Sequence, residues 1–278
     1  MKTYCLIAAL SLFPAVLCLA QDWQELKSEH FIVYFTPLET TGQSEETKMS
    51  LTGFRQDEKF AKDVLDKAEV YYRDIASDLG YARYSEFWTW DKRVRIYIHP
   101  DHGSFLKATG QPDWSQGMAD YKNKQIISYA WSKGFLELLL PHEMAHLIFR
   151  DFVGFKGEVP LWLDEGVAQW AEKAKRQAIK AMVRQLFKED TLLSLKDMMS
   201  LDVRNITQSD RVSAFYVQAV SLVDFLIERY GSSNFVDFCR NLRDGETLEE
   251  ALSSAYPTHI HNLAELEERW KEYLKRED

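Results

Sequence analysis

The sequence predicts an α+β fold, with a small group of strands in its N-terminal half and an all-helical C-terminal half. Three observations carry this. β-Branched and aromatic residues fill 30–35, and apolar residues alternate through 93–98, as strands require. From Pro160 onward, apolar residues return at three- and four-residue intervals, the helical period. Between the halves lies a helix with two histidines four residues apart, His142 and His146.

In chain order, Lys2 precedes an apolar run from Leu6 to Ala20 broken only by Ser11 and Pro14. That reads as an export signal over 1–20 with cleavage before Gln21, giving a secreted or periplasmic protein. The run is short for a membrane span and meets Asp22 and Glu25 at once; a retained N-terminal anchor is the competing reading. Leu17 is too bulky for a lipoprotein signal ending at Cys18. His30–Phe35 is a buried strand, with His30 structural. The polar stretch 36–56 is a disordered tip or a flap. Asp57–Leu79 has helical spacing and stops at Gly80. Arg93–Ile98 places Val94, Ile96 and Ile98 on one face. Asp101 caps a short helix closed by Gly110; His99 and His102 suit capping and surface roles better than a second metal site. Gln116–Asp120 and Lys124–Tyr129 form a hairpin around a Tyr-Lys-Asn turn.

Ser132 can cap the helix of the two histidines, which is either kinked at Pro141 or begins near Leu140. Pro160 restarts a helix that runs to about Lys175, on which Gln169, one turn beyond Glu165, suits either orienting a ligand or facing solvent. Gln177–Phe187, Leu192–Met199, Val212–Tyr230, Phe235–Leu242, Thr247–Ala255 and Leu263–Leu274 complete the helical half. Within Val212–Tyr230 an apolar stripe holds Tyr216, Val220, Val223, Ile227 and Tyr230. Gln218, Ser221, Asp224 and Glu228 lie opposite. Asn205-Ile206-Thr207 is a glycosylation sequon.

Composition excludes several classes. The 34 Lys and Arg against 43 Asp and Glu give a net charge of −9, which argues against nucleic acid or an anionic membrane as partner. No stretch after residue 20 is apolar for long enough to span a bilayer. Once 1–20 are removed, Cys239 is the single cysteine, so no internal disulfide forms.

The chemistry is concentrated in His142-Glu143-Met144-Ala145-His146. On a helix, residues four apart differ by about 40° in direction, so both imidazoles face one point. They make two corners of a tetrahedral zinc site, and Glu143 reaches a water there without being a ligand. Glu165, in Trp162-Leu163-Asp164-Glu165-Gly166, follows His146 after 18 intervening residues and supplies the third ligand. Structural zinc sites fill all four positions and favour Cys, whereas two His and a Glu leave one open.

These residues resemble the gluzincin, or peptidase MA-like, zinc peptidases: H-E-x-x-H, 18 residues, then the glutamate of W-L-x-E-G. The resemblance implies a thermolysin-like fold for residues 21–278. Its small mixed sheet lies in an N-terminal lobe, about 21–153, and its helices in a C-terminal lobe, about 154–278, with the site between. It implies one Zn2+ per chain on His142, His146 and Glu165, Glu143 as general base and then acid, and a peptide or protein substrate pairing with the edge strand. It also implies an oxyanion donor from the helical lobe, for which Tyr216 is the candidate; the apolar stripe it lies on also suits a core role. Aminopeptidases of this group carry G-x-M-E-N on the edge strand. Here Gln116-Gly117-Met118-Ala119-Asp120 puts Ala119 in place of the glutamate that grips a free amine, which points to an endopeptidase. Two other classes stay open: a zinc-holding relative without turnover that binds a peptide or protein, and a helical interaction module with a coincidental motif.

Overall fold

The computed structural model describes residues 23–36, 56–81, 88–113, 115–130, 134–154, 159–201 and 209–276. The export signal, nearly all of the 36–56 stretch, Ser132 and the sequon at 205–207 lie outside the described residues. Among the described residues five strands form one mixed sheet: β1 (Gln24–Lys27), β2 (Phe31–Phe35), β3 (Val94–His99), β4 (Gly117–Asp120) and β5 (Gln125–Tyr129). Their spatial order is β1-β2-β3-β5-β4. β2, β3 and β5 run parallel, while β1 and β4 are antiparallel edges. The sequence reading did not include β1, whose four residues carry one apolar side chain, Leu26. A strand that covers so little has no apolar period to read.

Alternation decides which face of the sheet is covered. Phe31, Val33, Val94, Ile96 and Ile126 are fully buried and pack with Ala61, Val64 and Ala68 of helix α1 (Gln56–Asp78). Gly80 ends this stretch with φ +78, a backbone conformation glycine adopts without strain. Asp101 caps α2 (His102–Thr109) by accepting from the Ser104 amide at 2.8 Å. His30 is structural as expected, its Nδ1 2.7 Å from Glu69.

The motif helix is α3 (Leu140–Val153), entered through one wide helical turn, Phe135–Leu139. Pro141 sits in the first turn of α3, the position where a proline is tolerated, so the α-helix proper begins near Leu140. α4 (Leu161–Trp170) follows, and here the sequence reading is corrected. The helix ends at Trp170, not near Lys175. The chain turns at Glu172, passes a short 3-10 turn, Lys173–Lys175, and resumes as α5 (Arg176–Lys188). Tertiary contacts hold the break. Arg176 donates to the Trp170 carbonyl at 2.8 Å and lies 3.9 Å over the Trp170 ring, while Trp170 Nε1 donates to Asp224 at 2.9 Å.

The remaining helices are α6 (Leu195–Ser200), α7 (Ser209–Tyr230), α8 (Ser232–Asp244), α9 (Leu248–Ala255) and α10 (Leu263–Arg276). α7 is not the half-solvated helix its stripe suggests. Gln218, Ser221 and Asp224 of the polar side are buried with the apolar one. Each has a partner: Gln218 pairs with the Leu193 N–H and C=O at 2.8 and 2.9 Å. Ser221 accepts from Trp270 at 3.0 Å, and Asp224 accepts from Trp170 and pairs with Lys180. Buried polar groups satisfied in this way cost little. The apolar core is continuous from Phe31 in the sheet to Leu274 in α10. No helix among the described residues is long and apolar enough to cross a membrane.

α4 crosses α7 at Gly166. A Cβ there would stand 2.5 Å from the Ala219 carbonyl oxygen and 2.8 Å from Val223. The glycine beside Glu165 is therefore a packing requirement that sets how close α4 lies to α7. Gly166→Ala is expected to cost about 1–3 kcal/mol in a denaturant melt. An unchanged melt would mean that the two helices separate freely.

Candidate metal centre

α3 and α4 together build the site. His142 and His146, one turn apart on α3, present rings whose centroids are 4.8 Å apart at 83°. Each ring is held from behind by a carboxylate. His142 Nδ1 meets Glu172 Oε1 at 2.9 Å, and His146 Nδ1 meets Asp164 Oδ1 at 3.1 Å. Both Nε2 atoms are left facing the same atom, Glu165 Oε2, at 3.9 Å each. One ligand atom from each of the three residues lies within 4.8 Å of the others, the one such His, Cys, Asp or Glu group among the described residues. Zinc bonds of about 2.0–2.1 Å set tetrahedral ligand atoms roughly 3.4 Å apart. Small side-chain rotations close this set on an ion, so the donors fit zinc.

Electrostatics follow from burial and pairing. Burial disfavours the His146 imidazolium, but the bonded Asp164 carboxylate, with Glu165 and Glu143 near it, carries the group up to about 9. Burial also opposes ionisation of Asp164, yet His146 and Arg150 outweigh it and hold that carboxyl below its usual range. Arg150 binds Asp164 Oδ2 through two nitrogens, at 2.6 and 3.2 Å. Burial likewise opposes Glu172, but His142 and Lys175 bring it below the usual range. Glu165 is raised, because burial exceeds the pull of the two histidines. Fixing both rings by a carboxylate selects the tautomer that offers Nε2.

Sequence reasoning missed Asp164, Glu172, Arg150 and Tyr121. Arg150 and Asp164 carried a signal: the first is one turn past His146 on the same helix face, the second adjoins Glu165. Glu172 carried none, since only the break after Trp170 turns it onto His142. The bonds to the histidine rings come from Glu172 and Asp164, so the orienting role expected of Gln169 is theirs. Tyr121 follows β4 and stands edge-on to His146, ring centroids 6.0 Å apart. Tyr216 is half-buried on α7, packed on the core and edge-on to Phe215 at 5.5 Å. His99 and His102 join no metal-type cluster among the described residues; His102 Nε2 lies 2.9 Å from the Ser115 carbonyl oxygen.

A cleft of about 340 Å³ opens beside the group of His142, His146 and Glu165, lined by Gln116 and Gly117 at the start of the edge strand and by Leu138, Leu139, His142 and Glu143 from the motif helix and its approach. Ala119 occupies the edge-strand position noted above. Asp120 beside it is engaged by its own turn, accepting from the Lys122 and Asn123 amides and the Asn123 side chain.

No curated protein matches the chain. Among solved structures, the M1 zinc metallopeptidase from Deinococcus radiodurans is similar at 14% identity and a TM-score of 0.43, over 90% of this chain and 50% of that one. A mutant of that enzyme gives 13% and 0.42, over 91% and 50%. The chain thus spans about half the length of these two proteins. The family model of the Peptidase MA superfamily matches residues 89–276, a span that holds both histidines, Glu143, Glu165 and the helices that bring them together, and the chain belongs to that superfamily.

Proposed function

We propose that this protein is an exported zinc peptidase that cuts internal bonds of extended peptides. The observation carrying this reading is the pair of Nε2 atoms 3.9 Å from one Glu165 oxygen, with Glu143 on the wall of the adjoining cleft. A single zinc on His142, His146 and Glu165 would supply a Lewis acid that acidifies water and polarises a carbonyl. Glu143 accepts the proton of the water that adds to the scissile carbonyl carbon, while the carbonyl π pair moves onto oxygen. When the C–N bond breaks, Glu143 returns that proton to the leaving amine. The same proposal takes residues 1–20 as the export signal and a thermolysin-like arrangement of the two lobes about the site.

Tyr216 is the proposed donor to the carbonyl oxygen from the helical side. Tyr216→Phe should then lower kcat by about a hundredfold with little change in melting temperature. An unchanged kcat returns Tyr216 to the core.

An internal cut needs no anchor for a chain end. Ala119 cannot bind an amine, and the Asp120 carboxylate is spent on turn amides. Affinity must come from the open edge of β4, which pairs with backbone on both sides of the scissile bond. The test uses protein recovered outside the cytoplasm, whose first residue should be Gln21, and one peptide with free or acetylated and amidated ends. Both forms should be cut at the same internal bond. Stepwise trimming of the free form, with the blocked form untouched, would overturn the endopeptidase reading. No cleavage by zinc-loaded protein would leave a peptide-binding relative without turnover.

A further inference from the structure

The turn between β4 and β5 is tied to α3 at three places. Tyr121 stands edge-on to His146 with ring centroids 6.0 Å apart. The Arg150 guanidinium lies 5.9 Å from the same ring and is itself fixed by two bonds to Asp164. At the far end of the turn, Lys124 binds Asp151 at 2.6 Å, and Trp88 Nε1 binds the same oxygen at 2.5 Å. Asp120 closes the turn from inside by accepting from two of its amides. The Tyr121 ring is thereby held in place, partly buried against the core.

Among the described residues the Tyr121 hydroxyl has no hydrogen-bond partner, and it is not one of the buried polar atoms left unsatisfied. A fixed ring with an unengaged hydroxyl beside a metal ligand is a preorganised donor, and preorganised donors act where charge develops.

We propose that Tyr121 is a catalytic residue, its hydroxyl donating to the scissile carbonyl oxygen from the hairpin side as negative charge builds there. This rests on the peptidase reading and adds a donor from the strand that binds substrate. The proton stays on Tyr121 throughout. The hydroxyl offers one hydrogen bond, strongest once water has added to the carbonyl carbon. Because the bond forms mainly in the transition state, its loss should appear in kcat rather than KM.

The experiment compares zinc-loaded wild type with Tyr121→Phe, which keeps the ring and its contacts with His146 and Arg150. Zinc content, melting temperature, kcat and KM on an internally quenched peptide, and the Kd of a phosphinic peptide are measured. The phosphinic group carries its charge where the carbonyl oxygen would carry it, so its binding reports the donor without turnover. Tyr121→Phe should lower kcat by about a hundredfold and weaken the phosphinic peptide by a similar factor, with KM, zinc content and melting temperature unchanged. Unchanged kcat and phosphinic affinity would overturn the proposal. So would loss of zinc or of thermal stability, which would assign Tyr121 to holding His146. If wild type neither cleaves the peptide nor binds the phosphinic analogue, the peptidase reading itself falls and this proposal with it. Wild-type activity beside an unaffected variant isolates the failure to Tyr121.

Discussion

Glu143→Gln is expected to leave the fold and metal content intact and to lower peptide hydrolysis by about 10²–10⁴-fold. Glu143 is buried in the first turn of α3, on the wall of the cleft beside His142. Among the described residues the rings are held by Glu172 and Asp164, and Glu165, the third residue of the proposed ligand set, comes from α4, so Glu143 builds no part of it. Glutamine has nearly the same volume and can still accept a hydrogen bond, so packing is kept. It cannot take a proton from water at neutral pH, and that is the function removed. Steady-state rates on one internally quenched peptide, with zinc measured on the same samples, check it. Rates within a few-fold of wild type would mean that another group takes the proton.

Glu165→Ala acts on the metal instead. Its Oε2 is the point on which both Nε2 atoms converge, while Asp164 and Glu172 are engaged at the two Nδ1 atoms; His142, His146 and Glu165 form the one metal-type group among the described residues. Removing it leaves two imidazoles for an ion that needs three protein ligands and a water at an open site. Losing an orienting partner behind a histidine costs about 10–100-fold in metal affinity, and loss of a ligand should cost more. Elemental analysis after dialysis should find little zinc in Glu165→Ala and about one per chain in wild type. The melting temperature should no longer rise on adding zinc, because only a bound ligand stabilises the folded state. Full zinc occupancy in the variant would sink the ligand assignment.

Local order gave the chemistry away because helical geometry is periodic. Four residues bring His142 and His146 to one side of α3, with no knowledge of the rest of the chain. The same holds for the alternating strand over 94–99 and for Gly80 and Gly110, whose backbones end helices in the left-handed region. The interval to Glu165 was legible as a loop followed by a helix that packs back. Gly166 stood in the motif without a stated reason, and the Ala219 carbonyl 2.5 Å from its missing Cβ supplies one.

What sequence could not decide is where polar side chains find partners far along the chain. Gln218, Ser221 and Asp224 read as a wet face of α7 because they are polar. Leu193, Trp270, Trp170 and Lys180 make them interior, and those contacts span 25 to 54 residues. The end of α4 is of the same kind, since helical periodicity runs on past Trp170 while Arg176 and Asp224 hold the chain in a turn. That turn puts Glu172 behind His142, and the hairpin puts Tyr121 beside His146. The sequence alone marked out the residues proposed as metal ligands and base, because their spacing is local to one helix and one motif. Only the tertiary structure decided what holds them, because Glu172 and Asp164 are joined to the histidines, and Arg150 to Asp164, by packing between elements and not by spacing along the chain.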